Sequence, residues 1–292
     1  MIGRESEKRK ILENIDRRQP TLLIGPPGIG KTTLLQEIMK ELDDRKTVYL
    51  EYISPLKNAL LEILKTLHEN GDLKLERIDV HYLPWEELLK KLSRYTIKEL
   101  LEISKKILGE NRYILIIDHM ELITPMIGRR MEYLMENEFP LIIGAAGKLR
   151  NDLEKLWWRF EKIELHPLSS EESKKLLWTV IDKTSVPNTA QLLERKVLTE
   201  SNGNPLAIIQ IAEKVKKERQ LTSQTVRQLN HPAGIRYVDI TPIFLIAGAL
   251  IIGIRFIALG LNNTDMYILA GVSCGLFVGL RYFIYRLMRK SE

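Results

Sequence analysis

Gly25-Pro26-Pro27-Gly28-Ile29-Gly30-Lys31-Thr32 fits the pattern G-x-x-x-x-G-K-[ST], and what flanks it decides the fold. Leu22-Leu23-Ile24 reads as a buried strand ahead of the loop, and Thr33 to Leu42 reads as a helix behind it. Strand, glycine loop and helix in that order make a cradle for phosphate. The glycines let backbone N–H groups turn inward, and the helix adds the positive end of its dipole. On this reading Gly25, Pro26, Pro27, Gly28, Ile29, Gly30, Lys31, Thr32 and Thr33 surround a phosphate chain. Lys31 neutralises its β and γ groups, and Thr32 offers a hydroxyl to Mg²⁺.

Outward from the loop, strands alternate with helices. Glu5 to Arg17 has helical spacing, with Ile11, Leu12 and Ile15 on one face, and Pro20 ends it. Strands are predicted at Thr47 to Ile53, Tyr113 to Asp118, Leu141 to Ala146 and Lys162 to Leu165. Between them, Leu56, Leu60, Leu61, Leu64 and Leu67 form one apolar stripe, and Ile97 to Leu108 is amphipathic up to Gly109. Residues 68 to 96 are helix-prone with a break at His81-Tyr82-Leu83-Pro84. The alternation predicts an α/β fold, a P-loop NTPase with a parallel sheet and helices on both faces. After Pro167 the pattern becomes helical only. Ser169 is placed to cap a helix with Glu172 as its capping-box partner, and Gln191 to Glu200 and Pro205 to Arg219 follow. The predicted organisation is an α/β core over 1–166, a small all-α lid over 167–220, and a linker over 221–239 that holds Pro232 and Gly234.

The far end is apolar. Ile240 to Leu261 is broken only by Thr241 and Arg255, and Met266 to Leu280 continues past Arg281. A spanning helix needs about 20 mostly apolar residues. The expectation is therefore a two-helix transmembrane hairpin over 240–288, with spans at about 240–261 and 266–286 around the polar turn Asn262-Asn263-Thr264-Asp265. A pair of core helices in a soluble domain would need amphipathic partners, and none remain downstream. Arg255 and Arg281 are expected to snorkel toward headgroups, with a membrane partner or a polar pore as the alternative.

The net charge is +6, from 44 Lys and Arg against 38 Asp and Glu. Part of it sits at Lys214-Val215-Lys216-Lys217 and part at Arg286-Leu287-Met288-Arg289-Lys290, directly after the second apolar run. The turn has no basic residue. The positive-inside rule then puts the ATPase domain and the C-terminus in the cytoplasm, as an integral two-pass membrane protein with lipid as a partner. The N-terminus is charged at once and lacks a signal-peptide core. Cys274, the single cysteine, excludes an internal disulfide and suggests no metal site.

Hydrolysis needs more than a loop. Asp118 closes the apolar run Tyr113-Ile114-Leu115-Ile116-Ile117, which is the Walker B pattern, so Asp118 joins Thr32 as the second group for Mg²⁺. The water-orienting group is less plain. Many P-loop ATPases follow that Asp with Glu, but here His119 follows and Glu121 comes three after Asp118. Lys31, Asp118, Glu121 and His119 are the catalytic candidates, and the pattern carries nucleotide binding further than hydrolysis.

With these residues in view, the chain resembles the STAND-type and archaeal branch of the AAA+ P-loop ATPases, with origin-recognition-like and NB-ARC relatives. Ile2-Gly3-Arg4-Glu5-Ser6-Glu7 is similar to the box that opens those domains near adenine. Glu164-Leu165-His166-Pro167-Leu168-Ser169-Ser170-Glu171-Glu172 is similar to their strand-to-lid junction. Gly203-Asn204-Pro205-Leu206-Ala207 resembles the lid motif whose proline lies against the nucleotide. The resemblance implies that Gly3, Arg4 and Pro205 contact the nucleotide, and that ATP with Mg²⁺ is the cofactor. It also implies that binding or hydrolysis acts as a switch read by a protein partner or by self-association. His119 departs from that pattern. So does Ala145-Ala146, where the family often carries a polar sensor; Lys148 or Arg150 would have to stand in, or act as a finger in trans. No winged helix follows the lid. Three functions stay open: a membrane-anchored ATPase switch, a nucleotide-binding membrane scaffold with little or no hydrolysis, and a membrane-tethered DNA-binding ATPase. The basic charge permits DNA, but no DNA-reading element supports it.

Overall fold

A computed structural model describes residues 2–75, 80, 83–135, 140–182, 189–217, 222–234, 241–262 and 264–289. The break expected at 81–84 lies partly outside the described residues. So do the linker's 221 and 235–239, and Asn263. The side chains of 241–245 and 280–289 are likewise outside them, including Arg281 and the basic cluster after it.

Five strands form one sheet: β1 (Thr21–Ile24), β2 (Thr47–Leu50), β3 (Ile114–Ile117), β4 (Leu141–Ala146) and β5 (Glu161–Glu164). Their order is β2-β3-β4-β1-β5, and every pair is parallel. The helices of this part are α1 (Glu5–Asp16), α2 (Lys31–Glu41), α3 (Leu56–Glu69), α4 (Trp85–Leu92), α5 (Ile97–Glu110), α6 (Pro125–Met135) and α7 (Glu154–Trp157). Gly109 does not stop α5, which runs one residue further to Glu110. Successive strand residues alternate between two cores, as a period of two requires. Leu115 and Ile117 face a cluster with α3, α5 and α6, whereas Ile114 and Ile116 face α1 and α2. Strands buried on both faces need continuous apolar runs, and Ile-Leu-Ile-Ile in β3 is wholly buried.

A third cluster belongs to α8 (Ser170–Val180), α9 (Ala190–Ser201), α10 (Pro205–Lys217) and α11 (Ser223–Gln228). The capping box that opens α8 is present: the Ser169 side chain accepts the Glu172 N–H, and Glu172 accepts the Ser169 N–H at 2.8 Å. These helices and the sheet fall in one compact unit, Met1–Ile235.

The second unit, Arg236–Glu292, holds α12 (Thr241–Gly260) and α13 (Thr264–Arg289), which pack on each other. Among the described residues no helix is long and apolar enough to cross a membrane. This overturns the transmembrane hairpin and with it the integral two-pass location and its orientation, and nothing among the described residues supports lipid as a partner. Side chains are described for residues 246–260 of α12 and 264–279 of α13. Nor does the structure support a snorkelling Arg255. Its guanidinium donates to the Tyr267 hydroxyl at 2.8 Å and lies 4.8 Å from that ring's centre.

Candidate functional site

Parallel sheets place their functional loops beyond the carboxyl ends of the strands. The ends of β1, β3 and β4 do so here. Ile24 leads into the glycine loop, Ile117 into Asp118, and Ala146 into Gly147. Gly25 N–H bonds back to the Ala146 carbonyl at 3.4 Å, so the loop leaves the sheet beside β4. Gly28 has φ +76° and Gly30 has φ +100°, values that L side chains rarely adopt. Gly30 is the residue before α2, so the helix starts inside the loop with Lys31 and Thr32 in its first turn.

Thr32 and Asp118 meet directly. The threonine hydroxyl donates to one carboxylate oxygen of Asp118 at 2.5 Å, and the other accepts the His119 N–H at 2.8 Å. Asp118 is only 1% exposed, at the end of a buried strand. The Tyr49 hydroxyl has its pKa pushed up to about 12, by burial first and then by the Asp118 carboxylate. Lys31 donates to the carbonyls of Gly25 at 2.8 Å and Pro26 at 3.1 Å. Burial holds its pKa below the ordinary lysine value, against the pull of Glu121 and Asp118. A hydroxyl and a carboxylate form a hard oxygen donor set. It fits Mg²⁺, which takes one or two protein oxygens and completes its octahedron with phosphate and water. Thr32 and Asp118 are the residues that would hold it.

Glu121 belongs to the same site. One carboxylate oxygen accepts the Gly147 N–H at 2.9 Å, and the other lies 3.3 Å from Nδ1 of His119. Burial pushes its pKa up, but these bonds outweigh that and leave it below the usual carboxylate value. His119 sits at φ +49° and stacks on Tyr52, ring centres 5.0 Å apart. Packing also seats Glu121. It rides on the short turn Met120–Leu122, and Met120 is fully buried. A Cβ on Gly144 of β4 would stand 1.9 Å from the Met120 sulfur. The sequence reading missed Gly144, Gly147 and Tyr52. A glycine inside an otherwise apolar strand is the available signal for a close approach.

The end of β4 carries no polar side chain: Ala145 and Ala146 are buried, and the backbone of Gly147 meets Glu121 instead. Lys148 and Arg150 line an open cleft of about 530 Å³ with Glu121 and Asp152. Arg150 is paired there with Asp152 through two bonds of 3.0 and 2.7 Å.

The opening box is tied to the loop from behind. Arg4 is 3% exposed, and its guanidinium donates to the carbonyls of Ile29 at 3.1 Å and His166 at 2.7 Å and pairs with Glu7 at 3.0 Å. Gly3 has φ +69°, and a Cβ there would stand 2.6 Å from Glu172. Arg4 thus joins the N-terminus, the glycine loop and the strand-to-lid junction through backbone carbonyls. Pro205 opens α10 next to the loop. Asn204 donates to the Pro27 carbonyl at 2.9 Å, and the Leu206 N–H to the Gly28 carbonyl at 3.2 Å. An asparagine just before a helix-opening proline is a capping signal, so Asn204 was findable from sequence.

Residues 1–143 match the family profile described as the AAA ATPase domain. No curated protein matches the chain. Among solved structures, the Walker-type ATPase PABY2304 of Pyrococcus abyssi is similar over 91% of this chain and 77% of its own, at 13% identity and a TM-score of 0.56. Domain III of the replication initiation protein DnaA from Thermotoga maritima aligns over 77% of this chain and 89% of its own, at 15% identity and a TM-score of 0.46. A STAND protein with a tetratricopeptide repeat sensor, PH0952 of Pyrococcus horikoshii, aligns over 79% of this chain and 33% of its own, at 15% identity and a TM-score of 0.49. At such identities the first likeness speaks for the fold alone.

Proposed function

We propose that this chain is an ATPase that binds Mg-ATP between the α/β core and the helical lid and uses binding or hydrolysis as a conformational switch. The observation that carries the reading is the 2.5 Å contact between the Thr32 hydroxyl and the Asp118 carboxylate at the head of α2, beside Lys31. When bound, Mg²⁺ would supply charge neutralisation on the phosphates. The chain's own residues do the rest. The loop glycines present N–H groups, Lys31 faces the β and γ phosphates, and the α2 N-terminus adds its dipole. Glu121 is the residue to orient the attacking water, with His119 holding its carboxylate. Gly3, Arg4 and Pro205 frame the nucleoside end. A protein partner or a second copy would read the lid's position.

A second reading is a nucleotide-binding scaffold that turns over slowly or not at all. The engagement of Glu121 by the Gly147 N–H and His119 favours it, because a carboxylate so occupied has fewer lone pairs for water. Purified protein with Mg-ATP separates the two. Turnover abolished by Lys31→Ala supports the switch, tight binding without turnover supports the scaffold, and absence of nucleotide binding removes both.

A further inference from the structure

The side chain of Asn204 works in two directions at once. Its carbonyl oxygen accepts the N–H groups of Leu206 at 3.1 Å and Ala207 at 3.3 Å, which caps α10. Its amide nitrogen donates to the Pro27 carbonyl at 2.9 Å, across 177 positions of chain. Beside it the Leu206 N–H reaches the Gly28 carbonyl at 3.2 Å. Gly28 lies so close beneath that an added Cβ would stand 2.7 Å from the Leu206 Cβ and 2.8 Å from the Asn204 oxygen.

A trans peptide unit holds its C=O and its N–H in one plane, pointing in opposite directions. A donor holding the Pro27 carbonyl from the lid side therefore fixes where the Gly28 N–H points. That N–H belongs to the loop's phosphate cradle. We infer that Asn204 is a positioning residue: from the lid it sets the orientation of the Pro27–Gly28 peptide, and so couples lid closure to phosphate affinity. The inference rests on the nucleotide-binding reading above. Coupling is reciprocal, so a closed lid strengthens phosphate binding by the factor with which phosphate strengthens closure.

Asn204→Ser separates the two jobs. Serine is a good N-cap and carries no charge, but its shorter hydroxyl cannot cap α10 and span to Pro27 together. Asn204→Ala removes both. The probe is a fluorescent N-methylanthraniloyl ADP, followed by stopped-flow release with Mg²⁺, alongside the melting temperature with and without ADP. Both variants are expected to release the probe about 5–10-fold faster, the size of one lost hydrogen bond. Asn204→Ser is expected to keep the nucleotide-free melting temperature of the wild type while losing part of the ADP-induced rise. A merely structural cap would leave Asn204→Ser like the wild type in release and impair Asn204→Ala alone, which overturns the inference. Wild-type protein that does not bind the probe overturns the parent reading, and this one with it.

Discussion

Thr32 and Asp118 lie 86 positions apart and share a hydrogen bond of 2.5 Å, so the first turn of α2 and the end of β3 are one site. β4 separates β1 from β3 in the sheet, and the Thr32–Asp118 bond bridges that gap beyond the strand ends. Asp118→Asn removes the charge and one of two acceptors: its carbonyl can take the His119 N–H while its amide donates to the Thr32 oxygen. The expected result is near-wild-type stability, with the Mg²⁺-dependent gain in ADP affinity cut at least about tenfold. Titration calorimetry with and without Mg²⁺ reads it, and an unchanged Mg²⁺ dependence would move the metal away from Asp118.

Glu121 gives a pH signature. Its folded pKa lies below the ordinary glutamate range of about 4.3, through the Gly147 N–H and His119. A depressed carboxylate contributes stability above its unfolded pKa, and that contribution fades as pH falls through the folded value. Urea unfolding of wild type and Glu121→Gln should therefore differ by about 1 kcal/mol near neutrality and converge in acid. A gap that stays constant to pH 3 would mean that the carboxylate's charge is not what the Gly147 N–H stabilises. If Glu121 also orients water, the same variant loses turnover while keeping ADP affinity.

β3 and β4 were legible because buried parallel strands must be apolar on both faces. Tyr113 to Asp118 and Leu141 to Ala146 announce themselves in that way, and β4 matches its predicted bounds. Gly25 to Thr32 and Asp118 could be singled out because their residue types follow a spaced pattern, and the structure brings Thr32 and Asp118 together. Backbone partners are silent in sequence, so the Gly147 N–H and the carbonyls held by Arg4 could not be read. The apolar tail misled for a different reason. Composition over Ile240 to Leu261 satisfies a hydropathy window, yet no described helix is long and apolar enough to span, and Arg255 finds Tyr267 inside the hairpin.

Gly144 tests what seats Glu121. Gly144→Ala puts a methyl 1.9 Å from the Met120 sulfur, so Met120 and the turn bearing Glu121 must shift. Overpacking of this kind costs about 1–3 kcal/mol. Chemical denaturation should register that loss, together with lower ATP turnover. Adding Met120→Ala removes the clash but leaves a cavity of its own, so the double variant should lose less than the sum of the two single losses. Additive losses in the double variant would contradict the clearance argument.

Arg4 tests whether the opening box acts through the backbone or on the nucleotide. Its guanidinium fills three roles, on Ile29, His166 and Glu7, at 3% exposure. Arg4→Ala leaves two carbonyls without that donor, so unfolding free energy should fall by about 2–3 kcal/mol even without nucleotide. Lysine presents a point charge where a planar fork bridges several acceptors, so Arg4→Lys should recover less than half of the loss. Because Ile29 belongs to the glycine loop, both variants should also weaken ADP binding, in proportion to their loss of stability. A variant that keeps full stability and loses only ADP affinity would instead make Arg4 a direct nucleotide ligand, and the backbone role would fall.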